Sequence, residues 1–382
     1  MMSTADEQHR LLRGPAKDLE RARRDRAAWS DLAFFAEHTD GRHVTDRNEP
    51  ARFRVLWALQ YDRRPQDLPL LRFLLQQQTV FYQKAVPWRL ASDLLLAGFM
   101  VAEHRRVEDL WLHWAAKSIS FDTALGYHLY HLLTGGVATA VAEVRASAHP
   151  DRDRILDDIT SDRHTEASVE EWLGEQRAQF PADPAEESLR TWAHRAAGLG
   201  EPEASRLFMT EWAAGEPRTE DTLNTLQFHL ARLGYHAEAV AVQREAVAIS
   251  DASWPGARAF NLLTLARLQR QAEDTAGAWT TLEEIQNVMP PDKQGPRQGL
   301  WRHFVKECFL LAPLTPDDST ARRRLAVGDE HLRGIPRLWM DGVLDAAVAA
   351  AEEVGDPRAL HRYRALQQAA AREYEQDISR PG

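Results

Sequence analysis

The feature that most constrains the fold is a pattern of helix, glycine, short turn and alanine that recurs in the second half of the chain. It stands out in AAGLGEPEASRLF at 196–208, LARLGYHAEAVAV at 230–242 and AEEVGDPRALHRY at 351–363. A glycine just after a helix end adopts the left-handed conformation without the steric cost that other residues bear. A small alanine on the next helix lets two antiparallel helices approach closely. The pattern therefore predicts a stack of antiparallel helix hairpins.

Helical periodicity extends over most of the remaining sequence. Apolar residues recur at spacings of three and four, as in Phe53, Leu56, Trp57 and Tyr61, and we find no alternating segment typical of a strand. Prolines and glycines interrupt this pattern at short intervals, which predicts helices of about 10–15 residues joined by short loops. The sequence therefore predicts an all-α fold with no β-sheet.

The segment AQFPADPAEES at 178–188 is the best candidate for a domain boundary, because it places two prolines and several acids between helical patterns. On this basis we expect three parts. They are a polar N-terminal arm at 1–26, a helical-hairpin array at 27–178 and a repeat domain at 185–376.

The repeated hairpins resemble the tetratricopeptide repeat (TPR) family over residues 185–372. The best-matching repeat places these residues on the family's helix-packing positions: Leu223, Leu226, Leu230, Gly234, Ala239 and Ala246. The copy at 257–289 departs from the pattern, because Gln269 stands where the glycine is expected. The resemblance implies a right-handed α-solenoid whose concave groove is lined by the first helix of each hairpin. Carried onto this chain, the implied groove residues are Arg190, His194, Asn224, Phe228 and Arg232.

Composition excludes several classes of function. The net charge of −10 among 382 residues argues against binding of nucleic acid through its phosphates. The single cysteine, Cys308, excludes an internal disulfide and a multi-cysteine zinc site. The N-terminal residues show no apolar signal-peptide core, and the most apolar run, 94–102, is too short to span a bilayer. We therefore expect a cytoplasmic protein without a membrane partner, and the preference for arginine over lysine indicates a GC-rich bacterial source.

The densest cluster of acid and base groups surrounds the stretch FDTALGYHLYHLL at 121–133. If this stretch is one helix, Phe121, Leu125, Leu129 and Leu132 share a core-facing side, and two histidines three residues apart lie about 60° from each other on its flank. The candidate residues of a pocket here are His113, Lys117, Asp122, Tyr127, His128 and His131. No third ligand stands at helical spacing on the same stripe, so we predict neither a bound metal nor a cofactor.

These observations favour a binding protein over an enzyme, because the chain lacks the common phosphate-loop, dinucleotide-binding, zinc-protease and serine-hydrolase motifs. The first interpretation is a regulatory scaffold that binds a protein or peptide in its concave groove. The alternative is an enzyme or small-molecule sensor that uses the His113–His131 pocket. A third interpretation is a nucleic-acid-binding helical repeat that uses the N-terminal arginines at 21–26.

Overall fold

The computed structural model describes residues 4–38, 44–85, 90, 92–250, 255–288, 299–315, 317–333, 335–336 and 338–378. Helices dominate these residues, which confirms the all-α prediction. The α-helices are α1 Thr4–Arg24, α2 Glu49–Tyr61, α3 Leu68–Ala85, α4 Ser92–Ala102, α5 Leu110–Lys117, α6 Phe121–Gly126, α7 Val137–Ala146, α8 Arg152–Ile159, α9 Glu166–Gln179, α10 Leu189–Gly198, α11 Pro202–Gly215, α12 Glu220–Arg232, α13 His236–Ile249, α14 Pro255–Gln271, α15 Thr275–Val288, α16 Leu300–Leu311, α17 Asp318–Leu332, α18 Val343–Val354 and α19 Pro357–Ile378. Short 3-10 helices lie at Arg26–Asp31, Pro65–Asp67, Val107–Asp109, Leu129–Leu133 and Pro184–Glu186.

A short antiparallel strand pair corrects the expectation of no β-sheet. Strand β1, Ala36–His38, pairs with β2, Val44–Asp46, so that Ala36 lies opposite Asp46 and His38 opposite Val44. Strands of three residues are too short to show an alternating pattern in the sequence, which is why the periodicity did not reveal them.

The chain divides into two compact units, Met1–Phe208 and Met209–Gly382. In the first unit, α1 packs on α2, and α3 packs on both α4 and α5. The segment expected to be a polar arm contains all of α1, whose Leu11, Leu19 and Ala22 are buried. Burial of these side chains holds the helix on the unit, at about 1.5–3 kcal/mol for each fully buried leucine.

A buried polar network joins α2 to α10 within the first unit. Arg195 donates hydrogen bonds to the Tyr61 hydroxyl and to Gln60 Oε1, each at 2.5 Å, and forms an ion pair with Glu187 at 3.1 Å. Trp192 packs edge-to-face on Trp57 beside this network, with ring centroids 5.2 Å apart. Burial of a charge is tolerated here because the guanidinium has several acceptors.

The second unit contains consecutive helix hairpins. Helix α12 packs on α13, α13 on α14, and α14 on α15; the pairs α16 with α17 and α18 with α19 continue the series. The apolar TPR positions predicted on α12 and α13, from Leu223 to Ala246, are buried. The predicted antiparallel helix hairpins are therefore confirmed in this unit.

The turns of the hairpins close with one type of hydrogen bond. Tyr235 donates its backbone N–H to the carbonyl of Leu230 at 3.0 Å, and Gly234 between them has a φ of 85°. Three other first helices end with the same bond, from the N–H of one residue to the carbonyl of the residue five positions earlier. These bonds join Glu201 to Ala196, Asp274 to Gln269 and Asp356 to Ala351. This is the Schellman closure, which requires one residue in the left-handed conformation.

The atypical copy at 257–289 keeps this closure but places it later in the sequence. The left-handed residue is Glu273, with a φ of 63°, and α14 extends to Gln271 before it turns. Gln269, aligned with the glycine in the sequence, instead lies buried inside the helix and accepts a hydrogen bond from the Thr281 hydroxyl at 2.7 Å. The longer first helix explains the departure from the repeat pattern.

Within the described residues, no helix combines the length and the apolar character needed to cross a membrane.

Candidate functional site

Three of the five predicted groove residues share one face of α12 in the second unit. Asn224, Phe228 and Arg232 follow one another at four-residue spacing, so their side chains form a stripe along the helix. Asn224 is half-buried, Arg232 is exposed, and the phenyl side chain of Phe228 is 59% exposed. The opposite face of α12 packs into the hairpin through Leu223, Leu226 and Leu230.

The side chains of this stripe are available to a ligand. Within the part of the chain that the structure describes, neither Asn224 nor Arg232 has a side-chain hydrogen bond or an ion pair. Exposure of a large aromatic side chain to water is unfavourable unless another surface covers it. Phenylalanine and arginine are both enriched at protein–protein interfaces.

A second exposed phenylalanine lies on the first helix of the next hairpin. Phe260 on α14 is 59% exposed, and exposed Arg267 lies two helical turns further along the same helix. Asn261, next to Phe260, donates a hydrogen bond from Nδ2 to Oε1 of Glu220 at the start of α12, with a distance of 2.6 Å. This bond joins α14 to α12. Each of these two helices has one exposed phenylalanine and one exposed arginine.

The other two predicted groove residues belong to the first unit. Arg190 and His194 are exposed on α10, where Arg195 and Trp192 face inward. The α12 stripe lies in the second unit.

The predicted single helix over 121–133 is wrong. Helix α6 ends at Gly126, Tyr127 and His128 are extended, and a 3-10 helix begins at Leu129. The physical reason is a cap: the Lys117 ammonium donates to the carbonyl oxygens of Ala124 at 2.6 Å and Tyr127 at 2.9 Å, satisfying acceptors that a continuing helix would use.

This break changes which residues face the core. Phe121 and Leu125, expected inside, are 76% and 71% exposed, whereas Tyr127 and His131, expected on a flank, are buried. An extended backbone at Tyr127 turns its ring inward, because successive side chains of an extended segment point to opposite sides.

Three of the predicted pocket residues come together in the interior. Nδ1 of His113 lies 2.7 Å from the Tyr127 hydroxyl, and the Tyr127 and His131 rings stack with centroids 4.0 Å apart. Nδ1 of His131 donates to the carbonyl of His128 at 2.8 Å, since a carbonyl oxygen only accepts. Trp172 from α9 packs on the His131 ring, with the ring centroids 4.6 Å apart.

The other pocket candidates are peripheral to this cluster. Lys117 is half-buried and engaged in the cap, His128 is exposed and stacks on Trp172, and Asp122 is exposed on α6. Sequence reasoning missed the contributions of Trp172 and Gly98, because both lie far from 121–133 in the chain. A Cβ atom at Gly98 would lie 2.2 Å from the Tyr127 hydroxyl, so only glycine fits there.

Burial sets the protonation states in the cluster. Loss of hydration lowers the pKa of His113 to about 3, and it lowers the pKa of His131 well below its usual value. It also raises the pKa of Tyr127 well above the usual phenol value. Two neutral imidazoles and a neutral phenol therefore form a packed aromatic seam that solvent-borne substrates do not reach.

No group of three or more His, Cys, Asp or Glu side chains among the described residues is placed to hold a metal ion. The chain matches no protein-family model and no curated protein. Among solved structures, it is similar to a chain in the crystal structure of the APC/C hetero-tetramer Cut9-Hcn1, with 12% sequence identity and a TM-score of 0.32 over 84% of this chain. The match spans 63% of the length of that chain.

Proposed function

We propose that this protein is a regulatory helical-repeat scaffold that binds a protein or peptide on the first-helix face of its second unit, defined by Asn224, Phe228, Arg232 and Phe260. The exposed phenyl ring of Phe228 beside the unpaired guanidinium of Arg232 is the observation that carries the proposal. An aromatic side chain and an arginine are the residue types that most often dominate the energy of binding.

The chemistry of this face indicates the kind of segment that it binds. Two phenylalanines offer apolar surface for a large aliphatic or aromatic side chain. Arg232 and Arg267 favour a carboxylate nearby, and Asn224 has the donor and acceptor that a peptide backbone requires. We therefore expect an acidic partner segment with one or two large apolar residues.

The alternatives receive less support. An enzyme or sensor at the His113–His131 seam requires access to side chains that are buried. A nucleic-acid-binding arm requires free arginines, but Arg21 pairs with Asp31, and Arg23 pairs with Asp62 and Asp67.

A peptide library displayed on phage and selected on the purified chain tests the proposal. The selected peptides should be acidic with large apolar residues, and calorimetry should show that Phe228→Ala weakens their binding by about 30-fold, the effect of a hot-spot residue. Ile249→Ala removes a similarly exposed apolar side chain from the second helix α13 and serves as the matched control. The proposal fails if Phe228→Ala and Asn224→Ala/Arg232→Ala bind the peptides as well as the control does.

A further inference from the structure

A cavity of about 550 Å³ lies in the first unit, lined by the 3-10 helix Arg26–Asp31 and by helices α3 and α5. This volume is within the range of about 300–1,000 Å³ that is typical of small-molecule sites. Arg26 and Gln76, which line the cavity, are exposed, so a ligand can reach it from solvent. The apolar part of its lining consists of Trp29, Pro69, Phe73 and Leu112.

The apolar wall of the cavity is held in place by the rest of the unit. Trp29 donates a hydrogen bond from Nε1 to the carbonyl of Ala22 on α1 at 2.9 Å, and its ring centroid lies 5.0 Å from that of Phe73. Trp29, Phe73 and Leu112 are half-buried and pack on the core of the first unit. A wall formed in advance receives a ligand without the cost of ordering its side chains.

The two arginines of the cavity differ in their availability to a ligand. Arg72 is held by a carboxylate, because its Nε donates to Oδ1 of Asp109 at 2.5 Å and its Nη2 to Oδ2 at 3.1 Å. Arg26 has no hydrogen bond or ion pair within the part of the chain that the structure describes. The neighbouring carboxylate of Asp25 instead accepts a hydrogen bond from the backbone N–H of Ala27 at 2.8 Å.

The tryptophan orients Arg26 but leaves its donors available. Cζ of Arg26 lies over the Trp29 ring, 5.1 Å from the ring centroid. In this arrangement the flat face of a guanidinium meets the ring, whereas its N–H groups point outward in the plane and can donate to an acceptor. Arg26 is therefore an accessible and oriented cation beside an apolar wall.

We propose that this cavity binds a small organic acid, with its apolar body against Trp29 and Phe73 and its carboxylate on Arg26. The two-nitrogen edge of a guanidinium matches the two oxygens of a carboxylate. A ligand with one negative charge fits better than a phosphate dianion, because Asp109 already neutralises Arg72. The cavity is formed by residues of the first unit alone, so it is independent of the binding face on α12 and α14.

Ligand-observed saturation-transfer NMR on the full chain tests the proposal, with 3-phenylpropionate as the probe. The acid should bind saturably, and about ten-fold or more tightly than its uncharged amide, the effect of a hydrogen bond to a charged group. Acetate, which has the charge without the apolar body, should not saturate over the same concentrations. Equal binding of acid and amide, or tighter binding of inorganic phosphate, would overturn the assignment.

Substitutions of Arg26 connect binding of the probe to this cavity. Arg26→Met should weaken binding of 3-phenylpropionate by about ten-fold or more, while Arg26→Lys, which keeps the charge but loses the planar edge, should weaken it several-fold. Arg13→Met changes an exposed arginine of α1 that does not line the cavity and serves as the matched control. Binding that is equal in Arg26→Met and in the control would exclude Arg26 as the carboxylate partner.

Gln76→Glu tests the site without changing Arg26. It adds a negative charge to the lining at almost constant side-chain size, so it should weaken binding of 3-phenylpropionate by about two- to five-fold through repulsion. Gln179→Glu adds the same charge at an exposed position of α9 outside the lining and should leave binding unchanged. A purely structural role for Arg26 over Trp29 predicts that neither Arg26→Met nor Gln76→Glu alters binding, and that combination would exclude the site.

Discussion

Nδ1 of His113 and the hydroxyl of Tyr127 lie 2.7 Å apart in the interior of the first unit. Their hydrogen bond satisfies two polar atoms that would otherwise be costly to bury. It also fixes the path of the chain, because Tyr127 reaches His113 only from an extended backbone at the end of α6. The contact therefore acts together with the Lys117 cap in ending α6 at Gly126.

Gly98→Ala should destabilise the first unit by about 1–3 kcal/mol, the usual cost of overpacking a core. The added methyl group would lie 2.2 Å from the Tyr127 hydroxyl and 2.8 Å from two carbons of its ring. Gly174→Ala is the matched control, because Gly174 lies in α9 and a methyl group there would have no neighbouring atom within 4 Å. That control should be stabilising by about 0.5–1 kcal/mol. Urea denaturation measures both, and equal effects would contradict the close packing of Tyr127 on Gly98.

Acidification should destabilise the first unit through its buried histidines. His113 has a folded pKa of about 3, below the 6.5 of an exposed histidine, so the unfolded chain takes up a proton that the folded chain does not. Its stabilising effect is complete above pH 6.5 and is lost progressively as the pH falls towards 3. The loss should be about 1.4 kcal/mol between roughly pH 7.5 and pH 5.5. His131 should act in the same direction.

His113→Gln isolates this effect, because glutamine does not titrate. The unfolding free energy of the variant should depend less on pH than that of the unsubstituted chain, by about 1.4 kcal/mol over the same interval. His9→Gln makes the same substitution at an exposed histidine of the same unit and serves as the matched control. An unchanged pH dependence in His113→Gln would show that this histidine is not held neutral by burial.

The left-handed turn residues of the second unit should respond to substitution with opposite signs. Gly234→Ala should cost about 1 kcal/mol, because Gly234 has a φ of 85° and a Cβ atom disfavours that conformation. Glu273→Gly should stabilise by about 0.5–1 kcal/mol, since Glu273 holds the equivalent turn position with a φ of 63°. Chemical denaturation measures both. Destabilisation by Glu273→Gly would contradict the equivalence of the two turns.

We expect the His113–His131 seam to hold no structural metal. A structural zinc site takes four ligands, whereas the seam offers two imidazoles, and among the described residues no third His, Cys, Asp or Glu is placed to complete a site. Protein purified without an affinity tag should contain well under one equivalent of zinc, copper, nickel or iron, and a chelator should leave the melting temperature unchanged. Stoichiometric metal that disappears on His131→Ala would contradict this and favour the enzyme alternative.

Local patterns in the sequence were sufficient to predict the helix hairpins and the helix faces that pack in them. Leu223, Leu226 and Leu230 are buried as their spacing predicts, and Gly234 and Gly355 take the left-handed conformation that their positions require. These features depend on residues within one or two helical turns of each other, so a short window of sequence contains them. The stripe of Asn224, Phe228 and Arg232 follows from the same periodicity.

Contacts between residues far apart in the sequence decided where the helix at 121–133 breaks and where the turn after α14 lies. The break at Tyr127 depends on Gly98, Lys117 and His113, which lie on other helices. The helical period of 121–133 predicted a continuous helix, because periodicity carries no information about a cap or a partner from elsewhere in the chain. Likewise, Gln269 occupied the expected glycine position in the alignment, but it lies in the last turn of α14 and bonds to Thr281, and Glu273 takes the left-handed turn position instead.

The sequence alone thus determined the all-α class, the hairpin repeats and the exposed face of α12, because helix propensity and amphipathic spacing are local properties. Tertiary structure alone decided that Tyr127 and His131 are enclosed and that Arg324 is buried over Trp279 without a carboxylate. The physical reason is that burial and hydrogen-bond partners depend on which helices meet in space. The sequence around an arginine does not show whether its guanidinium pairs with a carboxylate, as Arg302 pairs with Asp341, or contacts only an aromatic ring.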